Sequence, residues 1–247
     1  MQEDFSVAFL SGPPQLRLPD TDGIVSMTDR AAPITTLTFD RATRALVRLA
    51  ARIAGGSELD VRDGLRETAS ATTPEGWVEE LILQSYLFCG FPRALNAARE
   101  WRRSTARNGE GVEASERGTG GGTRDEGLAD FIAAGEATCA RVYGRFYTKL
   151  RQNIVALHPE LDTWMIVEGY GKVLSRPALD LGRRELCIVA ACVAAGQDRQ
   201  LHSHLHGSRN VGVPDEVIGA SLEALEGTVN PVFLERAVAL WMKVRAQ

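Results

Sequence analysis

A chain of 247 residues with 44% hydrophobic and 24% charged residues can bury a sizeable core and has the composition of an ordinary globular protein. Its net charge of −4 argues against the global basic field that would attract nucleic acid or an anionic membrane. We expect neither a signal peptide nor a membrane span, because no apolar run has the required length and flanks. The 4 cysteines form no C-x-x-C pair, which favours a reducing, cytoplasmic setting.

The sequence pattern in the first half of the chain predicts an irregular arm followed by a group of helices. Residues 1–34 contain several Pro and Gly turns without a sustained hydrophobic period, so we predict an irregular N-terminal arm. Asp40 is positioned to cap the first helix, which the glycines after Ala54 should end. The helices predicted from apolar spacing are 39–53, 58–70, 77–88 and 94–103.

A change of composition separates the two halves. Residues 104–126 contain one aliphatic side chain larger than alanine, Val112, and a run of glycines, so we predict a flexible linker. No convincing strand pattern appears on either side of it, and the predicted fold class is all-α. The helices predicted after the linker are 127–157, 159–174, 183–195, 198–210, 217–225 and 232–244.

The two halves resemble each other when the sequence is shifted by 140 residues. The order of features repeats, and the aligned residues include structurally demanding types: Gly56 with Gly196, Pro74 with Pro214, and Trp101 with Trp241. This self-similarity predicts a tandem duplication, with a degenerate repeat at 35–103 and a second domain at 127–247. Ionisable residues do not repeat, since Ala45 stands opposite Glu185 and Gly64 opposite His204. We therefore expect any chemistry to occur in the C-terminal half.

The stretch from Arg183 to Glu216 is the strongest candidate for a site. Glu185 opens a run of small apolar residues that ends at Gly196, and a helix with so little polar surface must be packed on nearly all sides. Three of the 4 histidines follow within five residues: His202, His204 and His206. If helix 183–195 folds back against helix 198–210, a carboxylate and an imidazole can meet between them.

These residues allow more than one interpretation. Glu185 is either a solvated carboxylate at a helix start, paired with Arg183 or Arg184, or a proton donor held beside an apolar core. On a helix, His202 and His206 share a face and His204 points elsewhere. On a strand all three would share a face and could bind a metal, but the surrounding sequence favours a helix.

Two arginines are candidates for binding a substrate carboxylate bidentately. Arg209 lies one helical turn after His206, and Arg176 stands in Ser175-Arg176-Pro177, shortly before the apolar helix. Solvation at the surface is the alternative role for each of them.

The segment Gly169 to Leu186, which contains SRPALDLGRRE, is followed by the alanine-rich helix, the histidines and Gly212-Val213-Pro214. This pattern resembles the carboxymuconolactone decarboxylase family over roughly 125–245, and 40–103 resembles a second, eroded copy. The resemblance implies an alkylhydroperoxidase-D-like helical bundle that assembles as a homo-oligomer. It implies no nucleic-acid or membrane partner.

The resemblance also bears on the reaction. Peroxidase members of the superfamily carry a Glu, then a C-x-x-C pair, then a His four residues later. With Glu185 and His204 aligned, the cysteine positions become Gln197 and Gln200, which argues against thiol peroxidase activity. The resemblance instead implies a lyase that needs no metal or organic cofactor and decarboxylates a small carboxylated lactone. The alternatives are an alkylhydroperoxidase or peroxiredoxin-type member without the cysteine pair, and a non-catalytic helical scaffold.

Applied to this sequence, the resemblance implies a proton-transfer pair formed by Glu185 and His204. The residues expected to bind the carboxylate or an oxyanion of the substrate are His202, His206, Arg209 and Arg176.

Overall fold

The computed structural model describes residues 37–107 and 127–247, and within these ranges every regular element is a helix. The prediction of an all-α fold is confirmed, whereas the arm predicted at 1–34 lies outside the described residues. The α-helices of the described ranges are α1 (Arg41–Gly55), α2 (Glu58–Ser70), α3 (Glu75–Arg107), α4 (Leu128–Tyr143), α5 (Tyr147–Leu157), α6 (Pro159–Trp164), α7 (Leu181–Ala194), α8 (Asp198–Asn210), α9 (Asp215–Glu223) and α10 (Pro231–Arg245). None of them is both long and apolar enough to cross a membrane.

Helix α3 joins two predicted helices across a kink. Gly90 has a φ of +79°, a left-handed conformation that glycine adopts without steric cost, and Pro92 lacks the N–H needed to continue the preceding turn. The break predicted at 89–92 is therefore a kink within a longer element. Helix α3 also runs through 104–107 of the predicted linker, and 108–126 lie outside the described residues.

The long helix predicted at 127–157 is wrong, because the chain breaks at Gly144. This residue has a φ of +52° and begins a 3-10 turn, Gly144–Phe146, between α4 and α5. The helix predicted at 159–174 is also divided, into α6 and a π-helix at Met165–Leu174. Single-turn π-helical geometry is rare and often found at functional sites.

Helix α7 lies at the centre of the fold. It packs against α1 on one side and α8 on another, and its residues from Arg184 to Val193 are all buried. The prediction that this helix is enclosed on nearly all sides is confirmed. Small side chains explain the arrangement, because they let neighbouring helices approach an alanine-rich surface closely.

The helix boundaries repeat with the interval seen in the sequence. Helices α7, α8 and α9 each begin 140 residues after α1, α2 and α3, and Asp40 and Asp180 cap α1 and α7 in the same way. Thr43 and Arg183 occupy corresponding positions and contact each other across α1 and α7, with 2.9 Å between Oγ1 and Nε. These observations support the proposed duplication, which stays a prediction.

Two glycines bring α4 and the π-helix into backbone contact. A Cβ atom on Gly135 would lie 2.2 Å from the carbonyl oxygen of Ile166, and one on Gly171 would lie 2.2 Å from that of Phe131. No side chain fits at either position. The contact fixes the π-helix against α4 and so places Tyr170 beside the site described below.

We expect Gly171→Ala to lower the free energy of unfolding by about 2–3 kcal/mol, since the added methyl group must push two backbones apart. Gly169→Ala is the matched control, because a Cβ atom at Gly169, in the same π-helix, meets nothing within 4 Å. Urea unfolding followed by circular dichroism measures both. Equal stabilities of the two variants would contradict the proposed close packing.

Candidate active site

Glu185 and His204 form a buried pair between α7 and α8. Glu185 Oε2 lies 2.9 Å from His204 Nδ1, and the two residues are 0% and 4% exposed. With Glu185 ionised, Nδ1–H donates to the carboxylate, which holds the imidazole ring in one orientation. Among the described residues, Nε2 has no hydrogen-bond partner, so this nitrogen is available to a ligand.

The arginines beside Glu185 do not neutralise it. Arg183 Nη1 donates to Asp180 at 2.7 Å, and Arg184 Nη2 donates to Glu80 at 2.8 Å. The interpretation of Glu185 as a solvated carboxylate paired with either arginine is therefore wrong. Glu185 instead lies on the buried face of α7 and points towards α8, where it contacts His204.

A glycine on α8 makes the close approach of Glu185 possible. A Cβ atom on Gly207 would lie 2.7 Å from Glu185 Oε2 and 2.7 Å from Val142 Cγ1. Gly207 stands three residues after His204, one turn along the same face of α8. The sequence reading missed this requirement, although a glycine inside an otherwise regular helix is a signal of close packing.

The carboxylate of Glu185 is enclosed by groups that stay uncharged. Burial, and secondarily the charge of Glu185, raise the pKa of Cys192 to about 12, and the same two effects help raise the pKa of Tyr143 and of Tyr170. The Tyr143 and Tyr170 rings pack edge to face, with 6.4 Å between centroids. Among the described residues, Glu185 Oε1 has no hydrogen-bond partner.

His204 faces a cavity of about 580 Å³, which we call the His204 cavity. The edge of the Phe88 ring packs against the imidazole, with 5.6 Å between centroids. Among the described residues, neither lysine nor arginine lines this cavity, and Glu168, which does line it, pairs with Lys172 at 2.8 Å. Aromatic side chains dominate the wall: Tyr86, Phe88, Phe91, Tyr143, Trp164 and Tyr170.

Both halves of the chain build the His204 cavity. Tyr86 and Phe91, which stack at 4.7 Å, come from α3, whereas His204 comes from α8. The expectation that any chemistry occurs in the C-terminal half stays a prediction, and the N-terminal half supplies part of the cavity wall. The position corresponding to His204 is Gly64, whose missing side chain is replaced by Leu49 and Arg52, packed against it.

The other four predicted binding residues do not line the His204 cavity. Arg176 is engaged by Glu80, with Nε and Nη2 within 3.0 Å of its carboxylate oxygens, so it is unavailable to a substrate there. His202, His206 and Arg209 line a second cavity, of about 780 Å³. As predicted for a helix, the rings of His202 and His206 lie close, with 4.8 Å between centroids, and His204 points elsewhere.

Sequence reasoning also missed the contribution of Tyr143 and Tyr170. Tyr170 lies in the Gly169 to Leu186 segment that carries the family resemblance, but neither tyrosine was assigned a role, because only the packing of α4 on the π-helix brings them near Glu185. Within the described ranges, no group of three or more His, Cys, Asp or Glu side chains is placed to hold a metal ion. Gln197 and Gln200, at the aligned cysteine positions, are both exposed.

Comparison with known proteins identifies one segment of the chain. A search of curated proteins found no match. Residues 159–239 match the model of the Carboxymuconolactone decarboxylase family, and this segment contains both Glu185 and His204. The family resemblance of the sequence is thereby confirmed, while the degenerate N-terminal copy stays a prediction. Over residues 159–239, the chain is therefore similar to the carboxymuconolactone decarboxylase family.

Proposed function

We propose that the protein is a cofactor-free lyase that decarboxylates a small carboxylated lactone. The observation that carries this proposal is the buried Glu185–His204 pair, whose imidazole faces an aromatic cavity large enough for a small molecule. The match of residues 159–239 to the carboxymuconolactone decarboxylase family supports the same reaction class. The pair offers what such a reaction needs, namely a proton donor held in position at a largely aromatic cavity.

The first step breaks the bond between the lactone ring and its carboxylate. Its electron pair moves into the ring towards the conjugated lactone carbonyl, and CO2 leaves as a neutral molecule. A carboxylate lying among aromatic side chains without lysine or arginine loses hydration and gains no full ion pair. In the transition state the negative charge spreads over the larger enolate, for which the loss of hydration costs less free energy. The cavity therefore favours the transition state over the bound carboxylate.

The second step returns a proton to carbon. His204 donates it from Nε2. Its Nδ1–H stays hydrogen-bonded to the Glu185 carboxylate throughout, and the negative charge of Glu185 stabilises the imidazolium before the transfer. Water then supplies a proton to regenerate the imidazolium. One proton is consumed and one CO2 is released, so no oxidant or reductant is required.

Charge on the lactone oxygen needs a hydrogen-bond donor. Tyr143 suits this role because it lines the His204 cavity and because burial raises the pKa of its hydroxyl, which therefore stays protonated. Gln200, whose side-chain amide also lines the cavity, is an alternative donor. Oxyanion donors of this type contribute on the order of 10²–10³ in rate.

Thiol-based peroxide reduction has less support. Gln197 and Gln200 replace the required cysteines, and burial raises the pKa of the nearby Cys192 to about 12, so its reactive thiolate is scarce at neutral pH. The non-catalytic scaffold is the remaining alternative, and it makes no use of a buried carboxylate–imidazole pair.

The test is a decarboxylation assay with chelator-treated protein and 4-carboxymuconolactone. We expect loss of substrate absorbance together with release of one CO2 per lactone consumed. A panel of smaller and larger carboxylated lactones, run in parallel, defines the substrate class. Absence of CO2 release from every lactone in the panel would contradict the proposed reaction.

A further inference from the structure

The second cavity differs from the His204 cavity in its charge. It is lined by four side chains that are cationic or can become so, namely Arg145, His202, His206 and Arg209. Among the described residues, no Asp or Glu side chain lines it, whereas Ser203 and Asn210 add neutral polar groups and Gln247, the last residue of the sequence, also borders it. We call this cavity the basic cavity.

Positive charge in the basic cavity is only partly compensated. Arg209 pairs with Asp215 at 3.1 Å and donates to the carbonyl oxygen of Val244. Among the described residues, no carboxylate lies within ion-pair distance of Arg145, His202 or His206. Arg145 lies over the Phe146 ring, which leaves its guanidinium N–H groups free to bind an acceptor.

Mutual repulsion among these groups is visible at His206. Burial lowers the pKa of His206, and the charges of His202, Arg209 and Arg145 lower it further. Asp215 also lies near this end of α8, and its carboxylate is shared between Arg209 at 3.1 Å and Arg245 at 3.8 Å. A bound anion would offset these positive charges and so relieve the repulsion between them.

We propose that the basic cavity is a binding site for a small oxyanion carrying two negative charges, of the phosphate or dicarboxylate type. Two guanidinium groups and two imidazoles present donors that suit doubly charged oxygen ligands. The site is distinct from the proposed catalytic cavity, and Tyr143 is the side chain that lines both. The inference does not rest on the proposed decarboxylation.

The test is a titration of the full chain with inorganic phosphate and, separately, with succinate, at low ionic strength. Calorimetry measures affinity, and the imidazole proton resonances of the histidines report the location. We expect saturable binding of at least one anion, with a rise in the pKa of His206, because the anion stabilises the imidazolium. His204→Ala should bind the anion as the parent protein does.

Arg145→Ala should weaken binding by about tenfold, as expected when one charge-assisted hydrogen bond is lost. Arg99→Ala is the matched control, since Arg99 is also exposed but lies on α3 and donates to Asn96. Preference for phosphate or for succinate distinguishes the two ligand types. Binding of neither anion, or equal weakening by Arg145→Ala and Arg99→Ala, would overturn the proposal.

Discussion

Replacing His204 with glutamine should lower kcat for decarboxylation by roughly 10³, because the cavity then lacks a group that can protonate carbon. KM should change little, since His204 contributes little to the surface of the aromatic cavity that holds the substrate. Steady-state kinetics with the best lactone measures both constants. Glu185→Gln should cost less, on the order of 10², because the imidazole stays in place but loses the carboxylate that stabilises its charged form.

The effects of the two substitutions should not add, since each disables the same proton transfer. Arg199→Ala is the control on the same helix, as Arg199 is exposed and contacts neither cavity. Circular dichroism on each variant separates loss of chemistry from loss of fold. A folded His204→Gln variant that turns over at the parent rate would remove His204 from the mechanism.

Replacing Glu80 with alanine should lower the free energy of unfolding by about 3–5 kcal/mol, which is the cost of leaving a buried charge unpaired. Glu80 joins Arg176 and Arg184, and Arg184 is 0% exposed. Removal of Glu80 therefore strands a guanidinium group inside the protein. Chemical unfolding at neutral pH measures the loss. Asp63→Ala serves as the control, because the pair of Asp63 with Arg66 is exposed and worth at most about 1 kcal/mol.

The Glu80 contribution should depend on pH. Burial raises the pKa of Glu80, but hydrogen bonds and charges from Arg176 and Arg184 outweigh burial and hold the pKa below its ordinary value. Because the folded pKa is the lower one, the stabilisation is complete above the pKa of the unfolded chain, about 4.3. It is lost as the pH falls through the folded value. The stability difference between parent and Glu80→Ala should shrink accordingly in acid, and a constant difference would contradict this account.

Helix positions followed closely from local sequence. Apolar spacing with Asp40 as a cap located α1, and the same reading located α2 and α8 with their observed ends. The prediction failed where a single residue interrupted the helical backbone within an otherwise helical pattern of apolar residues. Gly144 broke the predicted helix at 127–157, and nothing in the periodicity of the apolar residues reveals a left-handed φ.

The sequence assigned only some of the candidate site residues to the groups in which the structure places them. The apolar run after Glu185 predicted an enclosed helix, and helical spacing correctly set His204 apart from His202 and His206. Grouping Arg176 with these histidines was not supported by the structure, because Arg176 finds its partner, Glu80, on a helix 96 residues away. Partners so distant along the chain leave no local pattern.

The sequence by itself determined the all-α class, the boundaries of α2 and α8, and the resemblance of the C-terminal segment to the carboxymuconolactone decarboxylase family. These depend on local spacing, capping and motif, which are properties of short stretches. Only the tertiary structure decided that α3 completes the His204 cavity, that Gly207 admits Glu185, and that the cationic residues gather in a separate cavity. Burial and electrostatic fields arise when distant segments pack, so they belong to the folded chain as a whole.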